Sequence, residues 1–273
     1  MTSPIGTRRD WMLMTAAERQ TVINALQTVK SSGRYDELTR LHQTAMLGGS
    51  TDWHRRPILL PVHRWFLYQL EVAMGLPMPY WDWTRRRSLP PGLGGNGNPA
   101  QGNRVTDGPF ANWVCWVLNT TTGAFEQRQP AGILRQIATF APSLPTAAQV
   151  ARVLNQTVYD SSPWTAASRT GVRNWLEGGW GNPRPAVHNR VHEWVGGDMR
   201  AGTSPNDPLF WLHHSNVDRI WASWQRRRGV DVYAAPPTQG PDVDPRGAGR
   251  RPDLRRRDRP PPAGRRTSRA ERF

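Results

Sequence analysis

The side chains with most chemistry to offer are seven histidines, which fall into two sets. The first is His42, His54 and His63, and the second is His188, His192, His213 and His214, with none between. His188 and His192 lie four apart in a segment of helical character. Both imidazoles therefore leave one helix face, one above the other, as two ligands of a single metal would. His213 and His214 are adjacent in a helix predicted from Asp207 to about Arg228. Neighbours on a helix point about 100° apart, so only one of that pair naturally faces the ion that the other two would hold. His42 falls mid-helix, His54 on a loop and His63 on the opening turns of another helix, three supports that can converge on a second metal. Each set thus offers three neutral nitrogen ligands and no carboxylate.

Ligand type narrows the metal. Imidazole suits zinc, copper, iron or nickel. The spaced pair reads His188-Asn-Arg-Val-His192, without the glutamate that zinc proteases carry after the first histidine. The Glu-x-x-His motifs of carboxylate-bridged di-iron bundles are absent as well. Two separate three-histidine sets on one bundle suggest paired metals acting together. A single histidine on a helix is usually a satisfied side chain, and one spaced pair is a weak signal. The specific signal is joint: both sets sit in dense aromatic context, and no histidine is left elsewhere.

The elements that must position these residues are mostly helices. Thr15-Ala-Ala-Glu18 has the form of a capping box, with Val22, Ile23, Leu26 and Val29 following at helical spacing. Gly33 ends that helix, and a second runs from about Asp36 to Met46. Pro61 opens a third, which closes near Gly75. Residues 84–109 read as a long loop. Further helices are predicted from Thr146 to about Asn155, from Ala186 to Val195, and from Asp207 to about Arg228, where Asp207-Pro208 fits an N-cap followed by proline. The fold class is mainly α, a four-helix bundle core with long irregular loops. The metal-binding domain spans residues 1–235. Residues 236–273 are Arg- and Pro-rich and are expected to be a disordered tail.

The bulk properties exclude less. A net charge of +15 points toward nucleic acid at first sight, but residues 246–273 hold 11 arginines against Asp253, Asp258 and Glu271. Lys30 is the only lysine beside 35 arginines, a bias that fits a GC-rich coding sequence better than a selected basic patch. Cys115 is the single cysteine, so no internal disulfide forms and compartment is left open. No apolar run approaches the roughly 20 residues of a membrane span. The first twenty residues lack the apolar core of a leader, so the expected location is cytoplasmic, or export together with a partner.

The motifs resemble the type-3 copper family of tyrosinases, catechol oxidases, o-aminophenol oxidases and hemocyanins. The matching stretches are His54-Arg-Arg-Pro-Ile-Leu-Leu-Pro-Val-His63-Arg-Trp-Phe-Leu, Pro79-Tyr-Trp-Asp-Trp83, His188-Asn-Arg-Val-His192-Glu-Trp-Val-Gly-Gly197 and Pro205-Asn-Asp-Pro-Leu-Phe-Trp-Leu-His-His-Ser-Asn-Val-Asp-Arg-Ile-Trp221. With Gly33-Arg-Tyr-Asp36, the resemblance covers roughly residues 11–228 and is strongest to small bacterial, Streptomyces-type tyrosinases. It implies a first copper on His42, His54 and His63 and a second on His188, His192 and His214, with His213 beside them as a non-ligand. It implies O2 as co-substrate, and phenols, catechols or o-aminophenols as substrates that give o-quinones or quinone imines. Such enzymes serve melanin or secondary-metabolite biosynthesis. Phe210 matches the phenylalanine that packs over the copper pair. Glu177 and Asn189 match an acid and amide that hold a water able to deprotonate a phenol. A small copper-delivering helper (caddie) protein is also implied.

Departures from the family pattern matter. Val62 stands where relatives commonly have tryptophan. Glu193, Arg200 and Ala201 fall at the expected mouth of the pocket, where the small Ala201 would leave the entrance open and Arg200 could meet a substrate carboxylate. Cys115 neighbours no histidine in sequence, so the Cys–His thioether of some relatives is not expected. Competing readings are an o-aminophenol or catechol oxidase that does not hydroxylate monophenols, a hemocyanin-like O2 carrier, and a nucleic-acid binder acting through the tail. The last would leave the histidines without a purpose.

Overall fold

The computed structural model describes residues 2–3, 5–46, 53–178 and 186–229. Helix α1 (Ala16–Ser31) starts where predicted: Thr15 Oγ1 accepts from the Glu18 amide at 3.2 Å, and the Glu18 carboxylate accepts from the Thr15 amide at 2.8 Å. Its apolar stripe of Val22, Ile23, Leu26 and Val29 is buried. Gly33, at φ +81°, turns the chain sharply into α2 (Arg34–Ala45), a conformation that costs glycine little. Helix α3 (Leu59–Met74) begins two residues before Pro61. The proline sits among the first four residues, whose N–H groups have no helical partner in any case.

Helices α4 (Ala147–Leu154), α6 (Val187–Val195) and α7 (Leu209–Arg228) also match prediction to within a residue or two. The six-residue α5 (Val172–Glu177) was not expected; Gly171 and Gly178 flank it, and it is too short to show a helical period. The strands among the described residues form two antiparallel hairpins, β1 (Thr2–Ser3) with β2 (Gly6–Thr7) and β3 (Trp116–Leu118) with β4 (Phe125–Gln127). The stretch 84–109 is irregular apart from one 3-10 turn at Pro99–Gln101. The expected boundary near residue 235 and the tail 236–273 lie outside the described residues.

Helix α7 is the centre of the fold. Fourteen of its side chains are buried, including Phe210, Trp211, Trp221 and Trp224. Each fully buried apolar side chain contributes roughly 1.5–3 kcal/mol. Helix α2 packs on α3, α3 on α7 and α7 on α6, so the four helices that carry the metal-ligating candidates are neighbours in that order. A buried ion network fixes α3 against α7 (Arg8 to Glu71 at 2.6 Å, Arg8 to Asp218 at 2.6 Å, Arg64 to Asp218 at 2.6 Å). At the start of α7, Asp207 accepts the Leu209 amide and forms a two-pronged, fully buried pair with Arg135 at 2.7 and 2.8 Å. On α2, the Gln43 side chain bonds both Trp116 O and Leu118 N, which pins the β3–β4 hairpin beside His42.

Candidate metal centre

Two groups of metal-ligating side chains occur among the described residues, and they are the two histidine sets. Within each group the ligand nitrogens lie within 4.8 Å of one another. His42 on α2, His63 on α3 and His54 on the loop before α3 form the first, with ring centroids 5.0–5.7 Å apart. His188 and His192 of α6 and His214 of α7 bring three Nε2 atoms together at 3.1, 3.3 and 3.4 Å. Nitrogens bound at about 2.0–2.1 Å to one ion at near-tetrahedral angles stand roughly 3.3 Å apart.

Protonation is settled by the other ring nitrogen. Nδ1 of His42 donates to Gly202 O at 2.9 Å, that of His63 to Leu59 O at 2.8 Å, that of His192 to Met199 O and that of His188 to Asn189 Oδ1 at 2.7 Å. Each bond fixes the proton on Nδ1 and leaves Nε2 with a bare lone pair, as a ligating imidazole requires. The Nε2 atoms of His42 and His63 are buried with no hydrogen-bond partner. Bare lone pairs crowded at 3.1 Å repel one another unless a cation sits among them, so the residues fit metal ions.

Burial also keeps the rings neutral. It lowers His42 and His192 to about 4 and His63 to about 3, and pushes His54, His188, His213 and His214 well below the ordinary imidazole range.

His213 behaves differently from its neighbour. Its Nδ1 accepts from Trp83 Nε1 at 3.2 Å, which leaves the proton on Nε2. Its ring stacks on His188 at 5.2 Å and 27°. A ring nitrogen of His213 nonetheless lies within 4.8 Å of those of His188, His192 and His214, and Trp83 is the group that fixes its tautomer.

The two sets face each other. His63 and His214 stack at 4.3 Å and 11°, and His54 and His188 lie 6.5 Å apart. Phe210 is fully buried between the sets, with its ring 4.2 Å from His214 and 5.1 Å from His42.

A cavity of about 600 Å³ opens onto His42, His54, His188 and His192. That volume suits a substrate of small-molecule size. Glu177, Asn189, Glu193, Arg200 and Ala201 all line it. Glu177 is buried: one carboxylate oxygen accepts from the Arg55 amide and the other from Arg173 at 3.0 Å. Arg173 is itself held by Asp160 at 2.7 Å. Asn189 spends its carbonyl oxygen on His188, and its amide reaches Gly178 O at 3.4 Å. The arginines Arg55, Arg152 and Arg190 also line the cavity. Sequence reasoning missed them, because they come from three separate segments with no shared motif. Cys115 is buried against Trp113 O, and burial raises its thiol above the ordinary range, so it stays protonated.

Comparison with known proteins agrees with this geometry. The family model for the common central domain of tyrosinase matches residues 32–227. A tyrosinase from Streptomyces glaucescens is 42% identical, over 86% of this chain and 88% of that protein. A grixazone synthase from Streptomyces griseus is 33% identical, over 88% of this chain and 92% of that protein. Among solved structures, a polyphenol oxidase from Thermothelomyces thermophila superposes with a TM-score of 0.59 at 26% identity, covering 80% of this chain and 69% of that one.

Proposed function

The chain belongs to the tyrosinase family, and from that premise we propose that His42, His54 and His63 hold one copper ion and His188, His192 and His214 a second. The protein is a copper-dependent oxidoreductase that oxidises phenolic substrates with O2 at a dicopper centre, giving o-quinones or quinone imines. The observation that carries the ligand assignment is the converging triangle of Nε2 atoms on α6 and α7, matched across the core by the orphaned Nε2 atoms of His42 and His63. When bound, the copper pair supplies the redox capacity, accepting two electrons from each substrate ring and passing them to O2.

The chain's own residues supply the rest. The Nδ1–H bonds to Gly202, Leu59, Met199 and Asn189 hold the rings in the ligating tautomer and orientation. The indole N–H of Trp83 on Nδ1 keeps His213 out of the ligand set. Phe210 packs its buried ring against His214 and His42, one from each set.

A catechol or o-aminophenol gives up electrons readily. A monophenol must first lose its hydroxyl proton. We assign that step to Glu177, acting through a water held with Asn189. Glu177 and Asn189 both line the cavity onto which the histidines open, and the Asn189 amide has a second hydrogen to offer such a water. The reading of the enzyme as an o-aminophenol or catechol oxidase without hydroxylation draws support from the similarity to a grixazone synthase.

Metal analysis of the copper-loaded chain together with O2 uptake tests the function. Two coppers per chain, and one O2 consumed per two catechols, is the expected result. One copper per chain with full activity would sink the paired-site reading.

Delivery of copper by a small helper protein is part of the same proposal and rests on the Streptomyces-type resemblance. Protein produced alone should lack copper and regain it with the helper; full loading without it refutes dependence. No described helix is long and apolar enough to cross a membrane. We place the protein in the cytoplasm, or outside the cell in company with its helper. Fractionation of cells with and without the helper decides between them.

A further inference from the structure

Glu177 closes a helix that cannot hold its own end in place. Helix α5 has six residues, and Gly178 ends it at φ +84°. A helix so far below the roughly 12–15 residues of an independent one takes its position from what it packs on. A glutamate side chain also has rotatable bonds whose freedom must be removed by contacts. One such contact is Arg173, a turn earlier on α5, whose Nη1 donates to Glu177 Oε2 at 3.0 Å.

Arg173 is fixed from outside its own helix. Its Nε donates to Asp160 Oδ2 at 2.8 Å and its Nη2 to the Thr165 carbonyl at 3.1 Å. The guanidinium is planar and rigid, so these contacts settle where the edge that meets Glu177 points. Asp160 is held in turn, its Oδ1 accepting from the Ser161 amide at 2.7 Å and from Asn174 Nδ2. The backbone of α5 joins the same segment, with Val172 N to Val158 O and Arg173 N to Tyr159 O each at 3.0 Å. Gly171 permits that approach, since a Cβ there would lie 2.6 Å from Tyr159 O. Asp160, Arg173 and Glu177 are all buried.

A buried ion pair is a weak source of stability, because desolvation offsets much of the attraction. What it provides here is direction. Among the described residues, this cluster is the one whose ion pairs reach a carboxylate of the cavity wall. Those of Arg8, Arg128 and Arg135 end on Glu71, Asp218, Asp198 and Asp207, none of which lines the cavity. Ala166, next to the carbonyl that Arg173 holds, lines it as well. One guanidinium therefore sets both the carboxylate and another part of the wall.

We infer that Arg173, braced by Asp160, is a positioning residue for monophenol hydroxylation: it aims the Glu177 carboxylate into a cavity that it does not itself line. The inference deepens the assignment of Glu177 as the base and rests on it. Catechol oxidation, which needs no such base, should not depend on the guanidinium.

The test compares Arg173→Lys and Asp160→Asn with the parent, as copper-loaded full chains, on one monophenol and one catechol. Lysine keeps the charge but loses the planar fork. Asparagine leaves the Arg173–Glu177 contact and weakens its brace. Monophenol kcat should fall about ten- to hundredfold in Arg173→Lys and less in Asp160→Asn, the scale of a misplacement by an ångström. Its KM, the catechol rate and the copper content should stay near those of the parent. A second readout needs no metal. The Arg55 amide donates to Glu177 Oε1, so in metal-free Arg173→Lys its hydrogen exchange should quicken by about tenfold while the amides of α1 keep their rates.

An unchanged monophenol rate, an equal fall in both reactions, or loss of copper overturns the positioning role. Arg55 exchange at the parent rate would show that the carboxylate never moved, and overturns it too. Should Arg173→Lys not fold, Asp160→Asn decides by the same readouts. Selective loss in Glu177→Gln without any in the Arg173 and Asp160 variants defeats the positioning role alone. Hydroxylation that survives Glu177→Gln defeats the base reading, and this inference with it.

Discussion

His63 and His214 stack face to face, with ring centroids 4.3 Å apart and an interplanar angle of 11°. The contact joins α3 to α7 at the place where the two histidine sets meet. The Nδ1 of His63 is spent on Leu59 O, one turn back on its own helix, so the backbone of α3 dictates where its Nε2 points. The spacing between the two sets is therefore built into the α3–α7 packing rather than left to flexible side chains.

Removing either member of this stack should cost one copper and the paired chemistry with it. His63→Ala and His214→Ala are expected to lower metal content from two ions per chain to about one. Catechol oxidation should fall on the order of a thousandfold, since several kcal/mol of metal assistance is lost. Elemental analysis beside oxygen-electrode rates measures both. Two retained coppers in either variant would show that the lost histidine is not a ligand.

His213 should respond in the opposite way. Its Nδ1 takes the Trp83 indole hydrogen, so His213→Gln should keep both coppers. Trp83→Phe frees that nitrogen and loosens the ring stacked on His188. The expected result is a 10- to 100-fold weaker second copper with the first unaffected, the range typical of groups behind the ligands. Competition with a copper chelator reads this directly; loss of a whole copper from His213→Gln would make it a ligand after all.

How much of this was legible in the sequence depended on whether a feature was local. His188 and His192 share one helix, so their spacing alone put them on one face. The 100° divergence of His213 and His214 likewise pointed to a single ligand there. Thr15 and Glu18 wrote the start of α1 within four residues. Glu177 could be read only through resemblance, because the short α5 between Gly171 and Gly178 shows no period, and its partners Arg55 and Arg173 are distant or unsignalled. The carbonyls of Gly202 and Met199 leave no trace in residue type. Of the arginines that line the cavity, Arg200 was named from the sequence, whereas Arg55, Arg152 and Arg190 come from three separate segments with no shared motif.

Acid should destabilise the metal-free chain in a defined window. Burial holds His42 and His192 near 4 and His63 near 3, against about 6.5 for the same rings in the unfolded chain. Above pH 6.5 both states are neutral and stability is level. Below it the unfolded chain binds the extra protons, so stability is lost as pH falls from 6.5 toward 4, by up to about 1.4 kcal/mol per pH unit for each histidine. Thermal melts of the metal-free protein between pH 7.5 and 5 check this before most carboxylates titrate. A flat melting temperature across that range would contradict the buried, neutral state of these rings.

Glu177→Gln should separate two reactions that share one cavity. The amide keeps an oxygen for the Arg55 N–H or for Arg173, and Asp160 continues to hold Arg173 at 2.7 Å, so the fold should survive with a modest drop in melting temperature. What is lost is basicity. Monophenol hydroxylation is expected to fall by about 10²–10⁴, the usual weight of a general base, while catechol oxidation stays within a few-fold because no such deprotonation limits it. The measurement is a paired assay of one monophenol and one catechol on the same copper-loaded preparation, with metal content checked in both. A parallel fall in the two rates would instead assign Glu177 to holding Arg55 and the His54 loop in place. In that case Glu177→Asp should restore neither rate, because the shorter side chain no longer spans from α5 to the Arg55 amide.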